Sequence, residues 1–244
     1  MSAAAGAKPG GACWIGPDEF TRGEIFADLH HPVVLLADLT DERLKPFLQL
    51  DPTPQDLSDG QRNLAGPRKW FLARRSLLRH MVGLAADCDA GAVRIGHDPQ
   101  GAPRVDAGGA EIFVSVSARG QICALALCGT PVGVDLERID QTAEPVWHVL
   151  HDSERGPIER KWRELGSDLL FRKTWIAKEA WLKALGCGLN RDPASFGAEI
   201  GETGEFRIVD AVSFPQPVGA WAVREICGLK FGLACIARRR IAEG

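Results

Sequence analysis

Short apolar runs separated by polar, turn-rich segments recur along the chain, and this pattern predicts a series of β-strands. The clearest run, residues 122–127, is apolar without interruption, as expected of a buried strand. Residues 111–117 alternate in part between apolar and polar positions, which also indicates a strand. Shorter apolar runs predict further strands over residues 32–39, 132–137, 206–209, 219–223 and 231–236.

Two segments have the periodicity of helices instead. Residues 67–83 place large apolar side chains on one face and basic side chains on the other, between a proline and a glycine. Residues 167–185 are apolar almost all round, which predicts a buried helix. A narrow stripe on this second helix carries Arg172, Glu179 and Lys183, and charges in a buried helix need partners inside the protein. Helices mixed with strands predict an α+β fold.

Composition restricts the classes of function. The chain has 244 residues, 29 Lys and Arg against 32 Asp and Glu, and 45% hydrophobic residues, all typical of a folded protein. A net charge of −3 argues against binding to nucleic acid. No apolar run approaches the roughly 20 residues that cross a bilayer, so we expect no membrane association. The seven scattered cysteines form no Cys-x-x-Cys pair, which indicates reduced thiols in a cytoplasmic protein.

The two halves of the chain share an order of elements. In each, a helix precedes strands that end in an apolar run, although no repeat is visible at the level of residues. The turn at residues 129–131 is the best candidate for a boundary. We therefore predict a flexible N-terminal tail over residues 1–13, an N-terminal α+β subdomain over 14–131 and a C-terminal α+β subdomain over 132–244.

The strand predicted over residues 132–137 carries two carboxylates. Asp135 and Glu137 are two positions apart, so they project from the same side while Val134 and Leu136 face the core. Paired carboxylates repel each other unless a cation lies between them. From this segment alone, a solvated strand edge is the better explanation of the pattern.

The charged stripe of the second helix adds two further interpretations. Glu179 and Lys183 have the spacing of an internal i,i+4 salt bridge. Alternatively, Asp135, Glu137 and Glu179 together hold a divalent cation on a diphosphate, with Lys183 neutralising charge on the transferred group. The basic face of the first helix is then either a set of anion partners or a solvated surface. Its residues are Arg68, Lys69, Arg74, Arg75 and Arg79.

Two longer motifs carry a resemblance to a known family. Residues 132–137 read VGVDLE and match the pattern (I/V)G(I/V)D-x-E, while residues 175–183 read WIAKEAWLK and match (F/W)-x-x-K-E-(A/S)-x-x-K. The continuation ALGCGL over residues 184–189, an arginine-rich helix and a Gly-x-Pro turn at residues 101–103 complete the set. In these features the chain resembles the 4′-phosphopantetheinyl transferases of the Sfp type, over roughly residues 67–196.

The resemblance implies a fold and a reaction. The fold is a pseudo-twofold pair of α+β subdomains with the active site in the cleft between them. Coenzyme A is the substrate, and Mg²⁺ bridges its diphosphate to Asp135, Glu137 and Glu179. A serine hydroxyl of an apo acyl, peptidyl or aryl carrier protein attacks the β-phosphorus, and 3′,5′-adenosine bisphosphate leaves. Glu179 is the implied general base and Lys183 stabilises the diphosphate.

The resemblance also implies residues that contact coenzyme A, and here the chain departs from the family. The implied contacts are Arg75, Ser117, Lys183, Arg68, Arg79 and Arg119. A histidine and a lysine that bind phosphate in the family correspond to Ala118 and Ala102 in this chain. We hypothesise that the neighbouring Arg119 and Arg104 partly replace their charge.

These departures keep a second function open. The intact metal and catalytic residues favour a monomeric, holo-[acyl-carrier-protein] synthase type transferase. The missing phosphate contacts favour a non-catalytic or weakly active homologue that binds coenzyme A or a carrier protein. The residues do not distinguish carrier proteins of fatty-acid, polyketide and nonribosomal-peptide biosynthesis.

Overall fold

A computed structural model of the chain describes residues 11–20, 26, 28–62, 67–209 and 217–238. The helices are α1 (Pro17–Phe20), α2 (Pro54–Arg62), α3 (Arg68–Ala86), α4 (Asp152–Leu165) and α5 (Leu169–Leu185). The strands are β1 (Cys13–Ile15), β2 (Val33–Asp38), β3 (Arg94–His97), β4 (Pro103–Asp106), β5 (Phe113–Arg119), β6 (Ile122–Cys128), β7 (Val132–Arg138), β8 (Gly197–Ile200), β9 (Glu205–Val209), β10 (Val218–Ile226) and β11 (Leu229–Ala237). This mixture confirms the predicted α+β fold.

The strands form two larger sheets and one hairpin. The first sheet has the order β1-β2-β6-β5, with β1 parallel to β2 and the other neighbours antiparallel. The second sheet is antiparallel throughout, in the order β7-β11-β10-β9-β8. Strands β3 and β4 pair as a separate hairpin. The strand predictions are thus confirmed, whereas the hairpin lies in a segment with no predicted strand.

The two sheets face each other, and each has a long helix on its outer face. Along β6, Cys123, Leu125 and Leu127 pack in one cluster with residues of α3. The alternate residues, including Ala124 and Ala126, pack in another cluster with β7 and β11. A third cluster joins α5 to the far side of β11. The continuous apolar run of β6 is explained by burial on both faces, since all seven residues of β6 are buried.

Helices α1, α2 and α4 lie in segments where the sequence predicts none, and α2 and α4 are the longer two. The buried residues of α2 are Asp56, Asp59 and Gly60, and those of α4 are Glu154 and Ile158. Their inward faces are therefore mainly polar, and an apolar periodicity could not reveal them. Inspection of the hydrophobic pattern cannot detect a helix that packs through ion pairs.

The end predicted for the first helix is wrong. Helix α3 continues past Gly83 to Ala86 and ends at Asp87, a residue with φ of 50° whose N–H donates to the Gly83 carbonyl. A Cβ on Gly83 would lie 2.8 Å from the Cys88 carbonyl oxygen, so the glycine admits the chain that folds back after the helix. Gly83 is therefore needed for a close approach within the helix, and the helix does not stop there.

Only residues 11–13 of the predicted N-terminal tail lie within the described residues. Residues 1–10 of the predicted tail lie outside the described residues, and Cys13 begins β1. The subdomain boundary and the pseudo-twofold relation stay predictions. Within the described parts of the chain, no helix is both long and apolar enough to span a membrane.

Candidate active site

A close crossing of β7 and α5 creates the central feature of the site. A Cβ on Gly133 would lie 1.8 Å from the carbonyl oxygen of Ala180 and 2.6 Å from the backbone nitrogen of Ala184. Both obstacles are backbone atoms, so only glycine allows the strand to touch the helix here. The crossing brings the carboxylates of β7 next to Glu179 and Lys183 of α5.

Asp135 lies at the centre of this crossing, with 2% of its surface exposed. Its Oδ1 accepts a hydrogen bond from Lys183 Nζ at 2.7 Å and another from Ser117 Oγ at 2.9 Å. Its Oδ2 is buried and has no hydrogen-bond partner among the described residues. Lys183 therefore pairs with Asp135, and the alternative of a simple i,i+4 bridge to Glu179 does not describe this site.

Glu137 forms a separate pair with Arg119. The Arg119 Nε donates to Oε2 at 2.9 Å, and Nη2 donates to Oε1 in a second bond. The remaining nitrogen, Nη1, donates to the Ala118 carbonyl oxygen at 3.0 Å. The hydrogen bond with Glu137 raises the pKa of Arg119. Both oxygens of Glu137 are thus engaged.

Glu179 extends the cluster from the helix side. Its side chain is half-buried, and its pKa is raised by burial first and by the charge of Asp135 second. Lys183 opposes this shift, while Glu137 adds to it. These interactions show that the residues predicted from the two motifs meet in one place. Arg172 of the same stripe lies apart, because it pairs with Asp168 at 2.6 Å.

The acid cluster offers carboxylate oxygens to a divalent cation. Carboxylate oxygens are the ligands that Mg²⁺ prefers, and the Oδ2 of Asp135 has no hydrogen-bond partner among the described residues, while the charge of Asp135 acts on Glu179. In the described residues, no group of three or more Asp, Glu, His or Cys side chains is arranged to hold a metal ion. The fit therefore rests on Asp135 and Glu179, which leaves the other ligand positions to water or substrate.

A pocket of about 370 Å³ opens beside β5. Its lining residues are Asp59, Arg62, Phe71, Arg74, Arg75, Leu78, His97, Pro103 and Val116. Val116 directly precedes Ser117, and successive side chains of a strand point to opposite faces, so the pocket and Asp135 lie on opposite sides of β5. A cavity of this size with basic groups at its wall suits a small anionic ligand.

Arg75 is the central basic group of the pocket. Its Nη2 donates to Asp59 Oδ2 at 3.0 Å and lies 3.1 Å from His97 Nε2. Burial lowers the pKa of Arg75, while Asp56 and Asp59 oppose the shift. Burial and the charge of Arg75 also lower the pKa of His97. Asp59 and His97 were missed in the sequence, since they lie on α2 and on the unpredicted hairpin.

Arg79 and Arg68 are two further residues predicted to contact coenzyme A, and their surroundings differ from those of Arg75. All three Arg79 donors bind backbone carbonyls, those of Ala90, Asp51 and Gly91. Arg68 is exposed in the first turn of α3.

Two further positions also make internal contacts. The hydroxyl of Ser117 donates to Asp135 and accepts from the Leu136 N–H at 3.2 Å. Arg104 pairs with Asp98 at 3.0 Å, in the turn that carries Ala102. The side chains of Ser117 and Arg104 therefore both have partners within the protein.

Comparison with known proteins finds a similarity over one part of the chain. A search of curated proteins finds no match to this chain. Residues 131–223, which contain both motifs, match the family model of the 4′-phosphopantetheinyl transferase superfamily, and this similarity supports phosphopantetheinyl transfer in general.

Proposed function

We propose that the protein is an Sfp-type transferase that moves the 4′-phosphopantetheine group of coenzyme A to a serine of an apo acyl or peptidyl carrier protein, with Mg²⁺. One observation carries the proposal. The buried Asp135, with an unpartnered oxygen, lies beside Glu179 and Lys183 within the segment that the superfamily model matches. The basic pocket on the other side of β5 gives the substrate a second point of attachment.

Asp135 and Glu179 would hold the cation in this proposal. When bound, Mg²⁺ neutralises the diphosphate and fixes its oxygens for an in-line displacement. Lys183 now shares Asp135 Oδ1 with Ser117, and its side chain is partly exposed. The ammonium is therefore close enough to the cluster to turn toward a phosphate oxygen once a cation takes over the charge of Asp135.

Glu179 is the proposed general base for the attacking serine. The carrier protein's hydroxyl must lose its proton as its oxygen bonds to the β-phosphorus, while the bond to 3′,5′-adenosine bisphosphate breaks. Glu179 is half-buried at the edge of the cluster and makes no hydrogen bond to another described residue. A carboxylate in that place has an oxygen available to accept the proton, directly or through water.

The basic pocket is the proposed site for the adenosine end of coenzyme A. Arg62, Arg74 and Arg75 line it together with His97, so phosphate oxygens have several donors within reach. We assign Arg79 a structural role, because its donors already hold three backbone carbonyls.

The remaining parts of the proposal concern location and partners. All seven cysteines are free thiols, and Cys123, Cys128 and Cys235 are buried. Free thiols are typical of a reducing compartment, which supports a cytoplasmic enzyme. We propose that it acts as a monomer on coenzyme A and the carrier protein, with neither nucleic acid nor membrane involved.

The proposal is tested with the purified full chain, coenzyme A, Mg²⁺ and apo carrier proteins of the fatty-acid and peptide types. Mass spectrometry should show a carrier protein that has gained one phosphopantetheine group, and chelation of the metal should abolish the gain. If the protein binds coenzyme A with Mg²⁺ but modifies no carrier protein, the non-catalytic homologue is the better description. If it binds no coenzyme A, the proposed function is wrong.

A further inference from the structure

Two carboxylate–cation pairs lie next to each other across β5 and β7. They differ in whether both carboxylate oxygens have a hydrogen-bond partner. In the first pair Asp135 meets Lys183 and Ser117; in the second, Glu137 meets Arg119. Ser117 and Arg119 are two positions apart on β5, as Asp135 and Glu137 are on β7. The two pairs therefore occupy successive positions on the same side of the two strands.

The Glu137–Arg119 pair has no free carboxylate oxygen. Arg119 donates to both oxygens of Glu137, and the third nitrogen of its guanidinium is held by the Ala118 carbonyl. A planar guanidinium matches a carboxylate with two parallel hydrogen bonds, which makes this the strongest type of side-chain ion pair. A metal ion that binds Glu137 must compete with Arg119 for the charge of this carboxylate.

The Asp135–Lys183 pair, by comparison, leaves one carboxylate oxygen without a hydrogen-bond partner in the described part of the chain. The ammonium of Lys183 is a point charge that contacts a single oxygen of Asp135, at 2.7 Å. The second oxygen is buried without a partner. A cation can bind this oxygen without breaking a hydrogen bond, so the two carboxylates of β7 are unequal as ligands.

We propose that Arg119 is a positioning residue that keeps Glu137 out of the metal shell, so that Asp135 and Glu179 are the protein's two carboxylate ligands. This inference rests on the proposed function, because it concerns the same metal. Three carboxylates and two cations give the cluster of Asp135, Glu137, Glu179, Lys183 and Arg119 a net charge of −1. A divalent cation then leaves a positive site for an anionic substrate, with more coordination positions open to its oxygens.

The test compares two double variants of the full chain that each remove one pair and leave the net charge unchanged. Mn²⁺ is titrated into each protein, with and without coenzyme A, and free Mn²⁺ is followed by electron paramagnetic resonance. The Arg119→Gln/Glu137→Gln variant should bind Mn²⁺ within about threefold of the wild type, whereas Asp135→Asn/Lys183→Gln should bind at least about tenfold more weakly. Thermal unfolding of both variants checks that they fold.

A single substitution provides an independent measurement. Arg119→Gln removes a positive charge and frees both oxygens of Glu137, so Mn²⁺ should bind about tenfold more tightly than in the wild type. Adding Glu137→Gln should cancel this gain.

The outcomes separate the two proposals. If Arg119→Gln/Glu137→Gln loses as much affinity as Asp135→Asn/Lys183→Gln, Glu137 is a ligand and this inference is overturned, while the proposed function stands. If the wild type binds no Mn²⁺ even with coenzyme A, the proposed function itself fails, and the inference fails with it.

Discussion

Helix α5 takes part in two groups of charged side chains, which differ in whether all their polar atoms have hydrogen-bond partners. In the first, Lys178 is fully buried, and its Nζ donates to Glu154 Oε2 at 2.5 Å and to the Val149 carbonyl at 3.1 Å. Glu154 also accepts from the backbone nitrogens of His151 at 2.8 Å and Ala198 at 2.6 Å. Each of these charged groups has its partners, and together they tie α4, α5 and β8 to one another.

The second group, formed by Asp135, Glu179 and Lys183, is incomplete. Asp135 Oδ2 has no partner among the described residues, and Glu179 has a raised pKa because burial and a neighbouring carboxylate disfavour its charge. Buried polar atoms in folded proteins are nearly always satisfied, so an exception needs an explanation. We infer from this difference that the Lys178 group holds the fold together, and we propose that the Asp135 group binds a ligand.

The largest effect on function should come from Asp135→Asn. The substitution keeps the shape of the side chain but removes the buried charge proposed to hold Mg²⁺, so transfer to a carrier protein should be abolished. The free energy of unfolding should change by less than about 2 kcal/mol, because the side-chain shape is kept and the Lys183 side chain is 27% exposed to water. Carrier-protein mass and urea unfolding measure the two quantities. Full activity in the variant would contradict the metal assignment.

Lys178→Met should have the opposite profile. It leaves Glu154 buried without its cation, and breaking a buried ion pair in this way costs about 3–5 kcal/mol of unfolding free energy. Lys161→Met, on the exposed face of α4, is the matched control and should change stability by less than about 0.5 kcal/mol. Urea unfolding measures both variants. Equal stabilities would show that the Lys178 group is not what holds these elements together.

Gly133→Ala tests the close crossing of α5 and β7. The added Cβ would overlap the Ala180 carbonyl, so α5 must shift, at a cost of about 3 kcal/mol in stability and with loss of transfer. Gly156→Ala in α4 is the control: a Cβ there meets nothing within 4 Å, and alanine should stabilise the helix by about 0.5–1 kcal/mol. Thermal unfolding distinguishes the two. A fully stable Gly133→Ala protein would disprove the close crossing.

Glu179→Gln removes the proposed base and one metal ligand while preserving side-chain volume. The rate of transfer should fall by at least about 10²-fold, the lower end for acid–base catalysis. Glu164→Gln, an exposed glutamate on α4, should leave the rate unchanged. Both rates are measured at saturating coenzyme A. A rate within a few-fold of the wild type would exclude Glu179 as the base.

The smallest effect concerns the pH dependence of stability at His97. Its pKa lies below the ordinary 6.5 because of burial and Arg75, with Asp59 acting in the opposite direction. Between that lowered value and 6.5 the unfolded chain binds more protons than the folded one, so unfolding free energy falls as the pH decreases.

His97→Gln should weaken this pH dependence slightly, since its side chain does not titrate. Urea unfolding at about pH 7.5 and about pH 5.5 gives the comparison. An identical pH dependence in both proteins would show that His97 does not contribute to it.

The amino-acid sequence by itself determined the elements that bury an apolar face. The continuous apolar run of β6, the helix α5 and the inward Val134 and Leu136 of β7 all follow from local periodicity, because hydrophobic burial repeats with the geometry of the backbone. The candidate site was also predictable in outline. Asp135 and Glu179 belong to two recognisable motifs, and the structure brings them together.

Only the tertiary structure decided which charged side chains form pairs with one another. The sequence offers Lys183 an i,i+4 partner in Glu179, whereas the crossing at Gly133 pairs it with Asp135. Likewise, Arg75 and Arg79 are one turn apart on α3, yet one lines a pocket and the other holds backbone carbonyls. Long charged side chains have no periodicity of their own. Their partners depend on which distant segments the packed core brings within about 3–4 Å, and local sequence does not encode that distance.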